Sequence, residues 1–85
     1  RMIESKEFHD WLKHNTNYCE RVITDNVSRM KRADNIYKWS GEDTYLYYLE
    51  KEKSFTELTV SVRSQVRKAV KLYMAYKEDI GMLNE

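Results

Sequence analysis

No proline interrupts this chain, and only two glycines, Gly41 and Gly81, punctuate it. With so few breakers, long helices joined by short polar turns are the expected architecture. The single cysteine, Cys19, excludes an internal disulfide, and a reducing compartment is the simpler setting for such a chain. No apolar run approaches the roughly 18 residues of a membrane span, and the N-terminus lacks the apolar stretch of a signal peptide. A cytoplasmic protein without a membrane partner is therefore expected. Also missing are a glycine-rich phosphate loop, a nucleophile elbow and the H-E-x-x-H zinc motif. A single domain of 85 residues buries about 60 to 65 per cent of its unfolded surface, enough for one core and too little for an enclosed catalytic cleft. Function is expected on a surface. Arg1 stands before Met2, which points to a piece of a longer chain.

What is present is helical periodicity. The spacing predicts four helices, over residues 5–14, 17–37, 43–52 and 61–80, and hence an all-α, compact four-helix bundle. Ser5 is positioned to cap the first, which carries Phe8, Trp11 and Leu12. Asn17 with Glu20 forms a capping-box pattern at the start of the second. Its apolar stripe runs through Val22, Ile23, Val27, Met30 and Ala33 to Ile36 and Tyr37. Ser40, Gly41, Glu42 and Asp43 mark a turn, after which Tyr45, Leu46 and Leu49 form the third stripe. Thr56, Thr59 and Val60 predict a turn or connecting loop despite the Ser54 and Glu57 pair. The last helix places Val62, Val66, Ala69, Val70, Tyr73 and Tyr76 on one side, and Gly81 is the natural stop.

Few residues are arranged for chemistry. His9 and His14 are five positions apart and Cys19 lies five further on, spacings that do not converge on a metal from one helix. No metal, no cofactor and no catalytic residue is assigned, and this segment alone is not read as an enzyme. Each histidine reads as a partly exposed helix residue, and Cys19 as buried or half-buried. The carboxylates Glu42, Asp43, Glu50 and Glu52 lie among lysines, as on a solvated edge. Trp11, Trp39, Tyr45, Tyr48, Tyr73 and Tyr76 read as core, because so short a domain needs large side chains to bury area. Tyr47 falls off its stripe and reads as the exposed exception.

Charge is the most informative feature. Residues 59–77 carry Arg63, Arg67, Lys68, Lys71 and Lys77 against no carboxylate, while residues 17–39 carry five basic side chains against three acidic ones. Residues 40–58 balance at minus three, so a net charge of plus one conceals a polarised molecule. On the last helix Arg63, Arg67 and Lys71 recur every four residues and are expected to form one outward ridge, with Ser64 and Lys68 on the next. Ser61, Ser64 and Gln65 lie at its N-terminal end, within reach of phosphates or base edges. Such a face fits nucleic acid. The alternative is a protein-protein interaction or oligomerisation module that docks through its tyrosines.

The chain resembles the N-terminal core-binding domain of tyrosine recombinases and phage integrases. Phe8, Trp11 and Leu12 match that family's F-x-x-W-L first helix, and Ile23 and Met30 fall on its second-helix pattern. Ala69, Val70, Lys71, Leu72, Tyr73 and Tyr76 follow the A-L-R-x-F-x-x-F form of its last helix, and Gly81 with Leu83 its ending. Val22, Asn26 and Ala33 depart from the family's usual Thr, Tyr and large aromatic. The resemblance implies a SAM-like fold and double-stranded DNA as partner, with a catalytic domain in the same chain and a homo-oligomer on DNA. It further implies that Arg63, Arg67, Lys68 and Lys71 neutralise phosphates, that Ser64 or Gln65 meets base edges, and that Arg21, Arg29 and Arg32 on the second helix form the other wall.

Overall fold

A computed structural model describes residues 3–81. Leu83, which entered the family pattern above, lies outside the described residues. The described residues form helices and connecting turns, with no strand; the five helices are α1 (Ser5–Asn15), α2 (Glu20–Ile36), α3 (Tyr45–Leu49), α4 (Lys53–Thr56) and α5 (Val60–Asp79). Three are long enough to carry a stripe; α3 and α4 are single turns. None is long and apolar enough to cross a membrane.

Helix α1 buries Phe8 and Leu12, one turn apart, and its end is tied off by side chains. His14 Nδ1 donates to the Asp10 carbonyl at 2.8 Å, Asn15 to that of Trp11 at 2.9 Å and Thr16 to that of Leu12 at 2.6 Å. These side chains add a second donor to carbonyls of the last turns, that of Leu12 also accepting the Thr16 amide at 3.0 Å. Its start differs from expectation, because Ser5 is the first helical residue and Glu4 occupies the cap position without a side-chain cap bond. The Glu4 carboxylate is engaged elsewhere. It accepts from the Tyr76 hydroxyl at 2.7 Å and the Lys77 ammonium at 3.2 Å, while the Glu4 amide donates to the Tyr73 hydroxyl at 3.0 Å.

Helix α2 likewise begins later than Asn17, with Cys19 at its cap and Glu20 its first residue. Instead of folding back on Asn17, Glu20 reaches across to α1 and meets His9 Nε2 at 2.7 Å. That bond raises the His9 pKa and lowers that of Glu20, and Asp10, 3.7 Å from the other ring nitrogen, acts on His9 in the same direction. Cys19 is exposed, contrary to the sequence reading, because the cap lies on the solvent side of this turn. Helix α2 ends at Ile36, one residue early, with Tyr37 extended. Asp34 then accepts the Trp39 amide at 2.8 Å and turns the chain back.

The segment 43–52 does not form one helix. Glu52 takes an extended conformation after Leu49, and a new turn of helix opens at Lys53, where a connecting loop was expected. The reason is Phe55, which is buried and needs its own element to deliver it to the core. Thr59 caps α5 by accepting the Val62 amide at 3.2 Å. Gly41 and Gly81 both adopt positive φ, at 80° and 75°, where a β-carbon is disfavoured.

The core is aromatic to an unusual degree for its size. Phe8 meets Tyr73 edge-on at 5.0 Å, Tyr73 meets Trp39 at 5.0 Å, and Trp39 meets Tyr45 at 4.8 Å. This chain of rings runs from α1 through α5 to α3, each pair adding about 0.5 to 1.5 kcal/mol beyond its buried area. Around it Leu12, Ile23, Met30, Ala33, Leu49, Phe55, Val66 and Val70 close the interior. Burial raises the Tyr73 hydroxyl to a pKa of about 12. The most extensive helix pairing is α2 on α5, followed by α1 on α2. With Cα extents of 34 × 30 × 16 Å, the domain is a slab two helix layers thick, so the outer faces of α2 and α5 are surface.

Candidate nucleic-acid interface

The outer face of α5 follows from its inner one. Val66, Ala69, Val70, Tyr73 and Tyr76 are buried, so residues half a turn away from them must face solvent. Ser61, Ser64, Gln65, Lys68 and Lys71 are all exposed. Seven residues advance a helix by almost two full turns, which aligns Ser64 with Lys71 and Ser61 with Lys68. No carboxylate lies between Val60 and Lys77.

The expected ridge of Arg63, Arg67 and Lys71 divides in two. Lys71 is exposed, but Arg63 and Arg67 are half-buried on the flank of α5 that meets α3 and α4. Arg67 Nε donates to Glu50 at 3.0 Å and its Nη2 donates to the other carboxylate oxygen at 3.2 Å, with the guanidinium 5.9 Å from the Phe55 ring centre. The bond from Glu50 holds the Arg67 pKa above its ordinary value. Arg63 Nη1 donates to the Thr56 carbonyl at 3.0 Å, a neutral partner that leaves its charge uncompensated. Arg63, Ser64 and Arg67 line an open groove of about 430 Å³ with Glu50, Thr56 and Val60.

The remaining cations separate according to what the fold asks of them. Lys77 is only 4% exposed and belongs to the Glu4 contact, so it cannot act at the surface. Lys68 lies 5.6 Å from the Tyr18 ring centre, which orients its ammonium towards the chain between α1 and α2. On α2, Arg21 and Arg32 are exposed and Arg29 is half-buried. Their separation of eleven residues puts Arg21 and Arg32 on one line. Among the described residues, no carboxylate lies within ion-pair distance of Arg21, Arg29, Arg32, Lys68 or Lys71.

The structure thus brings Arg63, Ser64 and Arg67 together at one groove, and leaves Lys68 and Lys71 on the open face of the same helix. Sequence reasoning missed Glu50, read as part of a solvated edge, and Thr56, read as loop. Glu50 lies 17 residues before Arg67, a spacing with no local period to betray it. Phe55 was the available signal, since an aromatic residue amid charges marks a point of burial. The tyrosines fall largely as read: Tyr45, Tyr73 and Tyr76 are buried and Tyr47 is 61% exposed, but Tyr48 is 48% exposed as well. Tyr47 carries the Lys51 ammonium 4.7 Å from its ring centre. Comparison of the chain with protein-family models, curated proteins and solved structures gives no match.

Proposed function

We propose that this domain binds double-stranded DNA through the outer faces of α5 and α2, as a non-catalytic module in the manner of the recombinase core-binding domain it resembles. One observation carries the reading: α5 exposes Lys68 and Lys71 beside Ser61, Ser64 and Gln65 on a face without a carboxylate, held rigid by its buried side. Lysines on such a face neutralise phosphates, and short polar side chains near the helix start reach phosphates or base edges. Arg21, Arg29 and Arg32 supply a second set of cations on α2, the helix most extensively packed against α5. In support of a SAM-like arrangement, α1, α2 and α5 supply most of the core, and the short α3 and α4 add Tyr45, Leu49 and Phe55 to it. A catalytic domain elsewhere in the same protein follows from this reading, as does assembly of copies on DNA.

Fluorescence anisotropy with a labelled duplex at two salt concentrations tests it. Each phosphate neutralised contributes about 0.9 to the slope of log affinity against log salt. Lys71→Glu should weaken binding to duplexes of any sequence and flatten that slope by about 1. Lys71 is the better probe than Arg67, whose reversal would also break the Glu50 pair. Undetectable duplex binding at low salt refutes the proposal.

A second reading draws on the exposed pair Tyr47 and Tyr48, whose rings touch at 5.3 Å. Adjacent exposed tyrosines suit a protein partner's pocket. On that reading Tyr47→Ala abolishes partner binding, and Lys71→Glu leaves duplex affinity weak and unchanged.

A further inference from the structure

We infer that the groove beside Arg67 is an anion site whose resident occupant is the Glu50 carboxylate, and that a phosphate group of bound duplex displaces it. The inference rests on the duplex-binding reading above. The Arg67 fork presents Nε and Nη2 to two oxygens of Glu50 at 3.0 and 3.2 Å, a geometry that a phosphate matches equally well. Arg63 stands one turn away with its charge unpaired, and the exposed Ser64 lies between them on the groove wall. The groove, at about 430 Å³, is many times the roughly 30 Å³ share of one water, so a hydrated anion enters.

Exchange is cheap because the Arg67 and Glu50 side chains are 34% and 37% exposed. Solvent screens a pair of that kind and leaves little net attraction to overcome. Glu50 sits at the C-terminal cap of α3, a single helical turn, and among the described residues its carboxylate has no hydrogen-bond or ion-pair partner besides Arg67 to hold it once a phosphate arrives. The carboxylate thus acts as an internal competitor. In the free protein it neutralises Arg67; on DNA it is repelled into solvent, and Arg67 passes from one anion to another without an intervening unpaired state.

A double-mutant cycle tests this by duplex anisotropy at low salt, using wild type, Glu50→Gln, Arg67→Gln and the double variant, with Glu52→Gln as a charge-matched control. Glu50→Gln should bind about two- to five-fold tighter, the range set by the strength of an exposed ion pair. The control should gain less, and Glu50→Gln should make no difference once Arg67 is Gln. Equal gain from Glu52→Gln, no gain from Glu50→Gln, or a gain that survives Arg67→Gln overturns the inference while leaving duplex binding intact. Failure of wild type and Glu50→Gln alike to bind any duplex overturns the proposed function and this inference with it. An independent reading comes from the Arg67 Nε–H resonance of the wild-type protein. It should move as duplex is added, and its staying fixed at saturation overturns the exchange whatever the variants' stability.

Discussion

Replacing Glu4 with Ala should be far more damaging than replacing Lys77, although the two residues form one ion pair. Glu4 Oε1 accepts from the Tyr76 hydroxyl at 2.7 Å and the Lys77 ammonium at 3.2 Å, and both donors belong to residues under 5% exposed. Glu4→Ala leaves a buried hydroxyl without its acceptor, which costs about 1 to 3 kcal/mol. It also strands a buried ammonium, for which full loss of the partner costs about 3 to 5 kcal/mol. The Glu4 side chain is 38% exposed, so water enters the space it vacates and returns part of both terms. A net loss of about 2 to 4 kcal/mol remains. At about 4 to 8 °C per kcal/mol for a domain of this size, Tm falls by about 8 to 32 °C. Lys77→Met keeps the packed stem and removes the cation, while Glu4 still accepts from Tyr76 and meets solvent. Its stability should stay within about 1 kcal/mol of wild type. Thermal melts followed by far-ultraviolet circular dichroism measure both. Equal losses, or a greater loss for Lys77→Met, refute the asymmetry and the buried-donor argument behind it.

Three further perturbations probe the rest of the fold. Asn26 is 2% exposed; its side-chain amide donates to the Val22 carbonyl at 2.9 Å, but its Oδ1 has no hydrogen-bond partner among the described residues. Asn26→Leu should therefore raise the unfolding free energy measured by urea titration by about 1 kcal/mol, and a loss would show that the oxygen is satisfied. Phe55→Ala should cost about 3 to 5 kcal/mol in the same assay, because its buried ring is what anchors α4, and a loss below about 1 would contradict that role. The contact between His9 and Glu20 should give a pH window. A raised His9 pKa contributes fully below the ordinary value of 6.5 and is lost as pH climbs through the folded value. A lowered Glu20 pKa contributes above the ordinary 4.5 and is lost as pH falls through the folded value. The Tm difference between wild type and His9→Gln should thus be largest between these two pH values and shrink on both sides.

The long helices were legible because one period dominates them. Ile23, Val27, Met30 and Ala33 on α2, and Val66, Val70 and Tyr73 on α5, share a face by spacing alone, and all are buried. Helix starts were less legible, because cap signals are local and the residues that decide them are not. Ser5 and Glu20 offer cap chemistry, yet Glu4 is drawn to Tyr76 and Lys77, and Glu20 to His9. The split of 43–52 escaped for the same reason: burial of Phe55 outweighs continuation of a short stripe. At the candidate site, exposed cations such as Lys71 could be read from azimuth. Those on the flank could not, since whether Arg67 meets solvent or Glu50 depends on a chain segment 17 residues away.

That distinction changes how the charge of the domain should be read. Counting residues assigns five positive charges to the region 59–77, but the fold uses two of them. Lys77 is matched to Glu4 in the core and Arg67 to Glu50 at the flank, and both partners lie outside that region. Arg63, Lys68 and Lys71 are then the cations of α5 without an acidic partner among the described residues, joined on α2 by Arg21, Arg29 and Arg32. A net charge near zero is therefore no argument against a polyanion partner, because Coulomb attraction at contact depends on charges within about a Debye length, roughly 8 to 10 Å at physiological salt. The paired charges cancel within that distance. The unpaired ones do not, and the face they occupy is set by which lysines and arginines the core and flanks left unused.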